Sequence, residues 1–173
     1  GLHEEHALEA RDIEHVHIRT SSQVSEWMEP LATRRAPQNA AAAANSIPFG
    51  VAKALVNGNV VLADFTPDGL RQPDVLALAQ RLDYEFEEGL GRSATIEVTT
   101  KGGQRHTNRV DQPLGSAAKP MTSEQLVTKF RDCVQHAPRA FGQDTVEEII
   151  RLVDRLDDVE DVSSLLQLVG GSS

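Results

Sequence analysis

The sequence predicts an α+β fold in which a small antiparallel sheet with packed helices is followed by C-terminal helices. Two runs, Asp12–Thr20 and Ala94–Thr100, alternate apolar and polar residues with the period of two that strands have. From Thr122 onward the apolar residues instead recur three or four positions apart, as on one face of a helix. Because strands and C-terminal helices occupy separate parts of the chain, the pattern favours α+β.

The first strand and the segment after it carry clear local signals. In Asp12–Thr20 the apolar residues form one face, and His15 and His17 lie on the opposite face. Ser21–Met28 is predicted to be a short helix capped by Ser22, because serine oxygens accept hydrogen bonds from the first helical N–H groups.

A longer helix is expected after an irregular loop at Glu29–Gln38. The alanine-rich run Asn39–Val56 favours helix, but a proline inside a helix removes one hydrogen bond and clashes with the preceding turn. The helix is therefore predicted to begin near Ser46, with Pro48 in its first turn, and to end at Gly58.

The middle of the chain returns to strands after a helix opened by Pro73. Tyr84 and Phe86 alternate with acids, and a Lys-Gly-Gly turn joins Ala94–Thr100 to Gln104–Val110. These runs predict an antiparallel meander with one solvated face.

Three helices are predicted at the C-terminal end. Thr122 and Gln125 have the spacing of a capping box, and the next helix is expected near Asp144–Thr145, with Glu148 completing a second box. A last short helix is expected at Val162–Val169.

Composition excludes several classes of function. The 173 residues carry 17 Lys and Arg against 26 Asp and Glu, a net charge of -9, which argues against a nucleic-acid partner. The single cysteine, Cys133, excludes an internal disulfide framework and a multi-cysteine metal site. No apolar run approaches the ~20 residues that span a bilayer, so we expect no membrane partner and a cytoplasmic location.

Histidine pairs raise the possibility of a metal site, although a pair alone lacks the further ligands that such sites use. His3 and His6 lie in a polar segment expected to be disordered, and His15 and His17 form the solvated side of a strand. The prediction is therefore no metal and no cofactor, and no catalytic dyad or triad is recognisable.

The segment around Ser46 differs from the others because it combines small residues with a helix start. Unbonded N–H groups at such a start form a natural seat for a carboxylate. The alternative is structural, since small residues also let a helix pack closely against its neighbour. The residues alone leave both interpretations open.

Four segments, taken in order, resemble the MmgE/PrpD family, which includes 2-methylcitrate dehydratase, cis-aconitate decarboxylase and iminodisuccinate epimerase. Ser46–Gly58 (SIPFGVAKALVNG) is similar to the family's S-L-P-Y-x-V-A-x-A-L-x-x-G segment. The other three similar segments are Asp12–Val16, Pro73–Ala79 and Gly115–Phe130.

The resemblance implies how the chain is organised. Family members are longer, with an all-helical domain interrupted by a smaller α+β domain. Residues 1–113 correspond to the small domain, and residues 114–173 to helices that would pack on an all-helical domain outside this chain. The implied function is that of a lyase or isomerase acting on a di- or tricarboxylate, such as 2-methylcitrate in propionate metabolism. Most of the family's acid, histidine and lysine residues lie outside this sequence, so the isolated chain is expected to be inactive.

Substrate-binding candidates follow from the same resemblance, because the family's S-L-P-Y segment faces the active-site cleft. The candidates are the segment residues Asn45, Ser46, Phe49 and Lys53. Two further cations, Arg34 and Arg35, could anchor substrate carboxylates. Phe49 stands where the family has tyrosine, so no role of that hydroxyl is carried over, and the catalytic residues stay unknown.

A different class of function competes with the enzyme interpretation. The chain could be an interaction module that keeps the small-domain fold without catalysis, in which case the apolar stripe of the C-terminal helices binds a protein partner. Metal binding by the histidine pairs is a third alternative.

Overall fold

The computed structural model describes residues 2–6 and 8–170, which form two compact units. Unit 1 extends to Pro120, and unit 2 begins at Met121. The sequence-based division after residue 113 lies seven positions earlier (120 − 113). The fold class is α+β, as the sequence predicts.

Unit 1 begins with a short helix, α1 (Leu2–His6), in the segment expected to be disordered. The Nδ1 of its His3 donates a 2.9 Å hydrogen bond to the Leu55 carbonyl, and the His6 ring centroid lies 4.1 Å from that of His106. These two contacts attach α1 to the rest of the unit.

Five more helices of unit 1 lie between its first two strands. Their bounds are α2 Ser25–Met28, α3 Leu31–Arg35, α4 Ala40–Ala44, α5 Ile47–Asn57 and α6 Pro73–Ala79. Ser21, not Ser22, is the capping serine, and it caps a 3-10 turn, Ser22–Val24, that leads directly into α2. The alanine-rich run is two helices, because Asn45 and Ser46 interrupt it.

The sheet has four strands in the order β2-β1-β3-β4, with β1 Ile13–Thr20, β2 Leu82–Phe86, β3 Ala94–Thr100 and β4 Arg105–Val110. The β3–β4 hairpin is antiparallel, as predicted, and β3 pairs antiparallel with β1. β2 is parallel to β1, so the sheet is mixed and the prediction of a purely antiparallel sheet is wrong.

The parallel pair has a physical reason in the burial of β1. Its Val16 and Ile18 are at most 1% exposed, and inward-facing side chains are buried most completely when their strand is central and paired on both sides. The chain then reaches β2 through α2–α6, a crossover long enough to return it in the same direction. Alternation within Tyr84–Phe86 identifies a strand but not its partner.

The core of unit 1 lies between one face of the sheet and the helices α5 and α6. Its most buried members are Ile13, Val16, Ile18, Met28, Phe49, Ala52, Val75, Leu78, Leu82 and Val98. The opposite sheet face carries polar side chains, including His17 and Asp83. One closed core and one polar face make unit 1 a two-layer structure.

Unit 2 contains the helices α7 (Ser123–Gln135), α8 (Gln143–Asp154) and α9 (Ser163–Gly170). The capping box of Thr122 and Gln125 is confirmed, with both hydrogen bonds present. The second box is wrong, because α8 begins after Gly142 without a side-chain cap.

Candidate functional site

The candidate site in unit 1 is the start of α5, the segment Asn45–Phe49, which we call the Ser46 turn. Ser46 is the N-cap of α5, and its Oγ accepts a 3.1 Å hydrogen bond from the Phe49 N–H. The same hydroxyl donates a 2.5 Å hydrogen bond to the Arg34 carbonyl. Ser46 is 5% exposed, so its hydroxyl acts inside the fold.

The backbone of the Ser46 turn offers fewer free N–H groups than a helix start usually does. Pro48 has none, the Phe49 N–H is bound by Ser46 Oγ, and the Gly50 N–H donates to the Ser46 carbonyl at 3.0 Å. Within the part of the chain that the structure describes, the Ile47 N–H is left without a partner at this end of α5. The expected seat of several N–H groups is reduced to one donor.

Arg34, in α3, makes hydrogen bonds both to the end of α2 and to the Ser46 turn. Its guanidinium donates to the carbonyl oxygens of Glu29 at 3.0 Å and Asn45 at 2.9 Å, and also to that of Glu26. Together with the hydrogen bond from Ser46 Oγ to its own carbonyl, these contacts place Arg34 at the centre of a small network.

Arg35 and Asn45 have different surroundings from Arg34. The Arg35 guanidinium donates to the Leu82 carbonyl at the start of β2 through two nitrogens and attaches α3 to the sheet, so it is not positioned as the carboxylate anchor considered from the sequence. Asn45 is exposed, and its amide nitrogen donates to the Ala41 carbonyl at 2.9 Å. Its side-chain oxygen therefore stays accessible from solvent.

Phe49 and Lys53 lie one turn apart on the buried face of α5. Phe49 is 1% exposed, and the Lys53 Nζ lies 5.6 Å from the centroid of its ring. Lys53 is fully buried, and Nζ donates to Asp64 Oδ1 at 3.0 Å and to Gln72 Oε1 at 2.9 Å. A buried ammonium needs such partners, because an unpaired charge inside a protein is very costly.

The Lys53 network extends to a fourth side chain. Asn57 donates to Asp64 and Gln72, each at 3.2 Å, and accepts from the Gln72 amide at 2.9 Å. Asp64 Oδ2 also accepts from the Val61 N–H at 2.8 Å. The network fixes α5 against the 3-10 turn Leu62–Phe65 and the start of α6, and its ammonium is committed to these contacts.

A second polar cluster lies on the solvated face of the sheet. His17 Nδ1 lies 2.5 Å from Asp83 Oδ1, and His15 Nε2 lies 3.2 Å from Asp83 Oδ2. Burial opposes the charge on His17, but hydrogen bonding and attraction to Asp83 and Glu85 outweigh it and raise the pKa of His17. Burial also opposes the charge on Asp83 and would raise its pKa. Hydrogen bonding and attraction to His17 and His15 outweigh this effect, so the pKa of Asp83 is lowered.

Neither this cluster nor any other provides a metal centre within the described ranges. No group of three or more His, Cys, Asp or Glu side chains there could hold a metal ion. Likewise, no helix in those ranges combines the length and hydropathy needed to cross a membrane.

Unit 2 carries an apolar groove of about 460 Å³ between α7 and α8. Its apolar lining consists of Leu126, Val127, Phe130, Ile149, Ile150 and Val153. Leu126 and Val153 are more than half exposed, and Leu166 on α9 is 67% exposed. Among the described residues of unit 2, only Val146 and Ile149 are buried.

A family model for the MmgE/PrpD C-terminal domain matches residues 1–158 of this chain. The chain belongs to the MmgE/PrpD family. The match runs through unit 1 and continues through α7 and α8, so it includes the Ser46 turn and the apolar groove.

Curated relatives with sequence similarity include three cis-aconitate decarboxylases. The Mus musculus protein is 30% identical over 142 residues, 79% of this chain and 28% of the mouse protein. The Homo sapiens protein is 31% identical over 136 residues, which are 76% of this chain and 28% of the human protein. The Aspergillus terreus protein is 26% identical over 166 residues, 91% and 33% of the two chains. The chain thus spans a third or less of the length of these relatives.

The fold brings only some of the predicted substrate-binding residues together. Asn45, Ser46 and Arg34 meet at one turn, whereas Phe49 and Lys53 lie in the core. The partners of Lys53, which are Asp64, Gln72 and Asn57, were not predicted. The signal was present, because a lysine four positions after Phe49 on the apolar face of a helix requires a buried acceptor.

Proposed function

We propose that this chain is the C-terminal portion of an MmgE/PrpD enzyme that acts on a di- or tricarboxylate, with cis-aconitate as the first candidate substrate and decarboxylation as the reaction. Dehydration of 2-methylcitrate, the reaction of another branch of the family, is the second candidate. The main support is the similarity to cis-aconitate decarboxylases, which extends over 76% or more of this chain.

In this proposal the Ser46 turn supplies the small-domain side of the substrate site. The Ile47 N–H and the second N–H of the exposed Asn45 amide would donate to a carboxylate, whereas Lys53 and Phe49 contribute through the core beneath them. Donors fixed before the substrate arrives stabilise developing negative charge without having to reorganise. The base and the acid that the reaction needs would come from sequence outside this chain.

The proposal gives the apolar groove of unit 2 a partner. An exposed apolar surface on two amphipathic helices is costly in water and is typical of an interface. We propose that the helical part of the same protein covers it. The chain alone would then bind substrate weakly and turn over none of it. We propose that the complete enzyme acts in the cytoplasm.

Activity of a longer protein tests this function. The 173-residue chain and the same chain extended by the sequence that its reading frame encodes upstream would each be incubated with cis-aconitate and, separately, with 2-methylcitrate. Substrate loss would be measured for both, and CO₂ release for cis-aconitate. We expect turnover by the extended protein and none by the shorter chain. A folded extended protein that consumes neither cis-aconitate nor 2-methylcitrate would overturn the proposal.

A non-catalytic interaction module is the second candidate, and the burial of Phe49 and Lys53 favours it. This module would carry no helical sequence upstream and would bind a separate protein through the apolar groove. An upstream sequence without a helical domain, together with no binding of either carboxylate, would select this alternative.

A further inference from the structure

We propose that Arg34 is a positioning residue that holds the Ser46 turn in the conformation that receives a substrate carboxylate. The inference rests on the proposed function of that turn and adds a residue to it. Arg34 acts through the backbone of the turn and does not itself serve as the carboxylate anchor.

The contacts of Arg34 form a closed ring with the turn. One terminal nitrogen donates to the Asn45 carbonyl at 2.9 Å, and Ser46 Oγ donates back to the Arg34 carbonyl at 2.5 Å. The two bonds join consecutive residues of the turn to the side chain and the backbone of one arginine. A shift of α3 would therefore move Asn45 and Ser46 together.

The other side of the guanidinium is fixed to a different part of the chain. Nε donates to the Glu29 carbonyl at 3.0 Å, and the second terminal nitrogen donates to the Glu26 carbonyl. Both carbonyls lie at the end of α2, where backbone acceptors have no helical N–H partner. Arg34 thus links the end of α2 to the start of α5, across intervening sequence that includes α3 and α4.

The chemistry of this link requires a guanidinium. A planar fork with five N–H donors can bind carbonyl groups on three sides at once, and the positive charge strengthens each hydrogen bond. A lysine ammonium is a point charge without that fixed geometry. Three carbonyl acceptors occupy Arg34, which is why we assign it a positioning role.

The neighbouring arginine provides a matched control. Arg35 lies in the same helix and also donates to a backbone carbonyl, but that carbonyl belongs to Leu82 in β2. Losing Arg35 weakens the attachment of α3 to the sheet and leaves every contact of the Ser46 turn in place.

The experiment compares wild type, Arg34→Ala, Arg34→Lys and Arg35→Ala in the 173-residue chain. Amide hydrogen exchange of Ser46 and Phe49 would be measured by NMR, together with the Kd for cis-aconitate or, where that does not bind, for 2-methylcitrate. Arg34→Ala keeps the carbonyl that Ser46 contacts, so any change reports the loss of the guanidinium. Added guanidinium ion tests chemical rescue.

We expect Arg34→Ala to raise the Kd about tenfold and to speed exchange at both amides by a similar factor, as the loss of a hydrogen bond to a charged group would do. Arg34→Lys should recover little, guanidinium ion should restore part of the affinity of Arg34→Ala, and Arg35→Ala should bind like wild type. Wild-type affinity and exchange in Arg34→Ala would overturn the inference.

The two proposals fail in different ways. Wild type that binds neither cis-aconitate nor 2-methylcitrate contradicts the proposed substrate role of the Ser46 turn, and exchange at Ser46 and Phe49 then decides whether Arg34 positions the turn. Wild type that binds, with an Arg34→Ala variant of equal affinity, contradicts the inference alone.

Discussion

The two units of the chain bury their apolar residues very differently. In unit 1, Val16, Met28 and Leu78 are at most 1% exposed, and even a lysine is fully enclosed with its carboxylate partner. In unit 2, Leu126 on α7 and Leu166 on α9 are 53% and 67% exposed. Unit 1 therefore closes its own core, whereas unit 2 leaves much of the apolar side of its helices exposed.

This difference agrees with the coverage of the relatives. The chain spans a third or less of each cis-aconitate decarboxylase, and under the proposed function the helical part of a longer protein would cover the exposed apolar side chains of unit 2. The first consequence is that substitutions in unit 1 and unit 2 should differ strongly in their effect on stability.

The largest effect is expected at the buried ion pair. Lys53→Ala leaves the Asp64 carboxylate buried without its cation and should reduce the free energy of unfolding by about 3–5 kcal/mol. Urea unfolding followed by the fluorescence of Trp27, the single tryptophan, measures the change in unit 1. Lys101→Ala, at an exposed lysine, is the control, and equal losses in both variants would show that the pair does not stabilise unit 1.

A pair of leucine truncations sharpens the comparison between the units. Leu78→Ala opens a cavity in a closed core and should cost about 2–5 kcal/mol. Leu166→Ala removes an exposed side chain and should change stability by less than about 0.5 kcal/mol. Urea unfolding monitored by circular dichroism measures both. If Leu166→Ala costs as much as Leu78→Ala, unit 2 has a closed core of its own.

The cap of α5 should contribute less than the core. Ser46→Ala loses the hydrogen bond to the Phe49 N–H and should destabilise unit 1 by about 0.5–2 kcal/mol, and Ser46→Thr should restore most of that loss. Thermal unfolding gives both values. Identical stability of Ser46→Ala and wild type would mean that the hydroxyl does not cap the helix.

The smallest effect concerns the sheet face of unit 1. His17 faces Asp83 and Glu85 on β2, pairs with Glu97 on β3 and has His15 beside it on β1. A raised pKa of His17 means that its contribution is complete below pH 6.5 and is lost as the pH rises through the folded value. The lowered pKa of Asp83 means that its contribution is present above pH 3.8 and is lost as the pH falls through the folded value.

The pair therefore stabilises the sheet mainly between about pH 4 and 6.5, by less than about 1 kcal/mol because the groups are partly exposed. The difference in unfolding free energy between wild type and His17→Gln, measured at pH 5.5 and pH 8.5, should be larger at pH 5.5. A difference that does not change with pH would rule out this contribution.

Local signals in the sequence predict most of the secondary structure. Pro48 and Ser46 locate the start of α5, Gly58 its end with a φ of 78°, and Lys101–Gly103 the turn of the β3–β4 hairpin. Such signals depend on a few neighbouring residues. The partner of β2 depends on the whole crossover that precedes it, which explains why the parallel pairing is not visible in residues 82–86.

The candidate site is predicted less completely because its contacts are long-range. A sequence shows that Arg34, Lys53 and Ser46 are present, but not which of these side chains are engaged in hydrogen bonds within the fold. Lys53 reaches Asp64 and Gln72 across a turn, and Arg34 reaches carbonyl groups on both sides of α3. Carbonyl acceptors have no side-chain signature, so the role of Arg34 becomes visible only in the structure.

The most direct test of the central claim, that the Ser46 turn is part of a carboxylate site, is an NMR titration of the 173-residue chain with cis-aconitate. We predict saturable amide shifts confined to residues 45–53, which weaken in Ser46→Ala and persist in Thr122→Ala, where the cap lost belongs to α7. No shifts at all, or shifts scattered over the surface and equal in both variants, would contradict the claim.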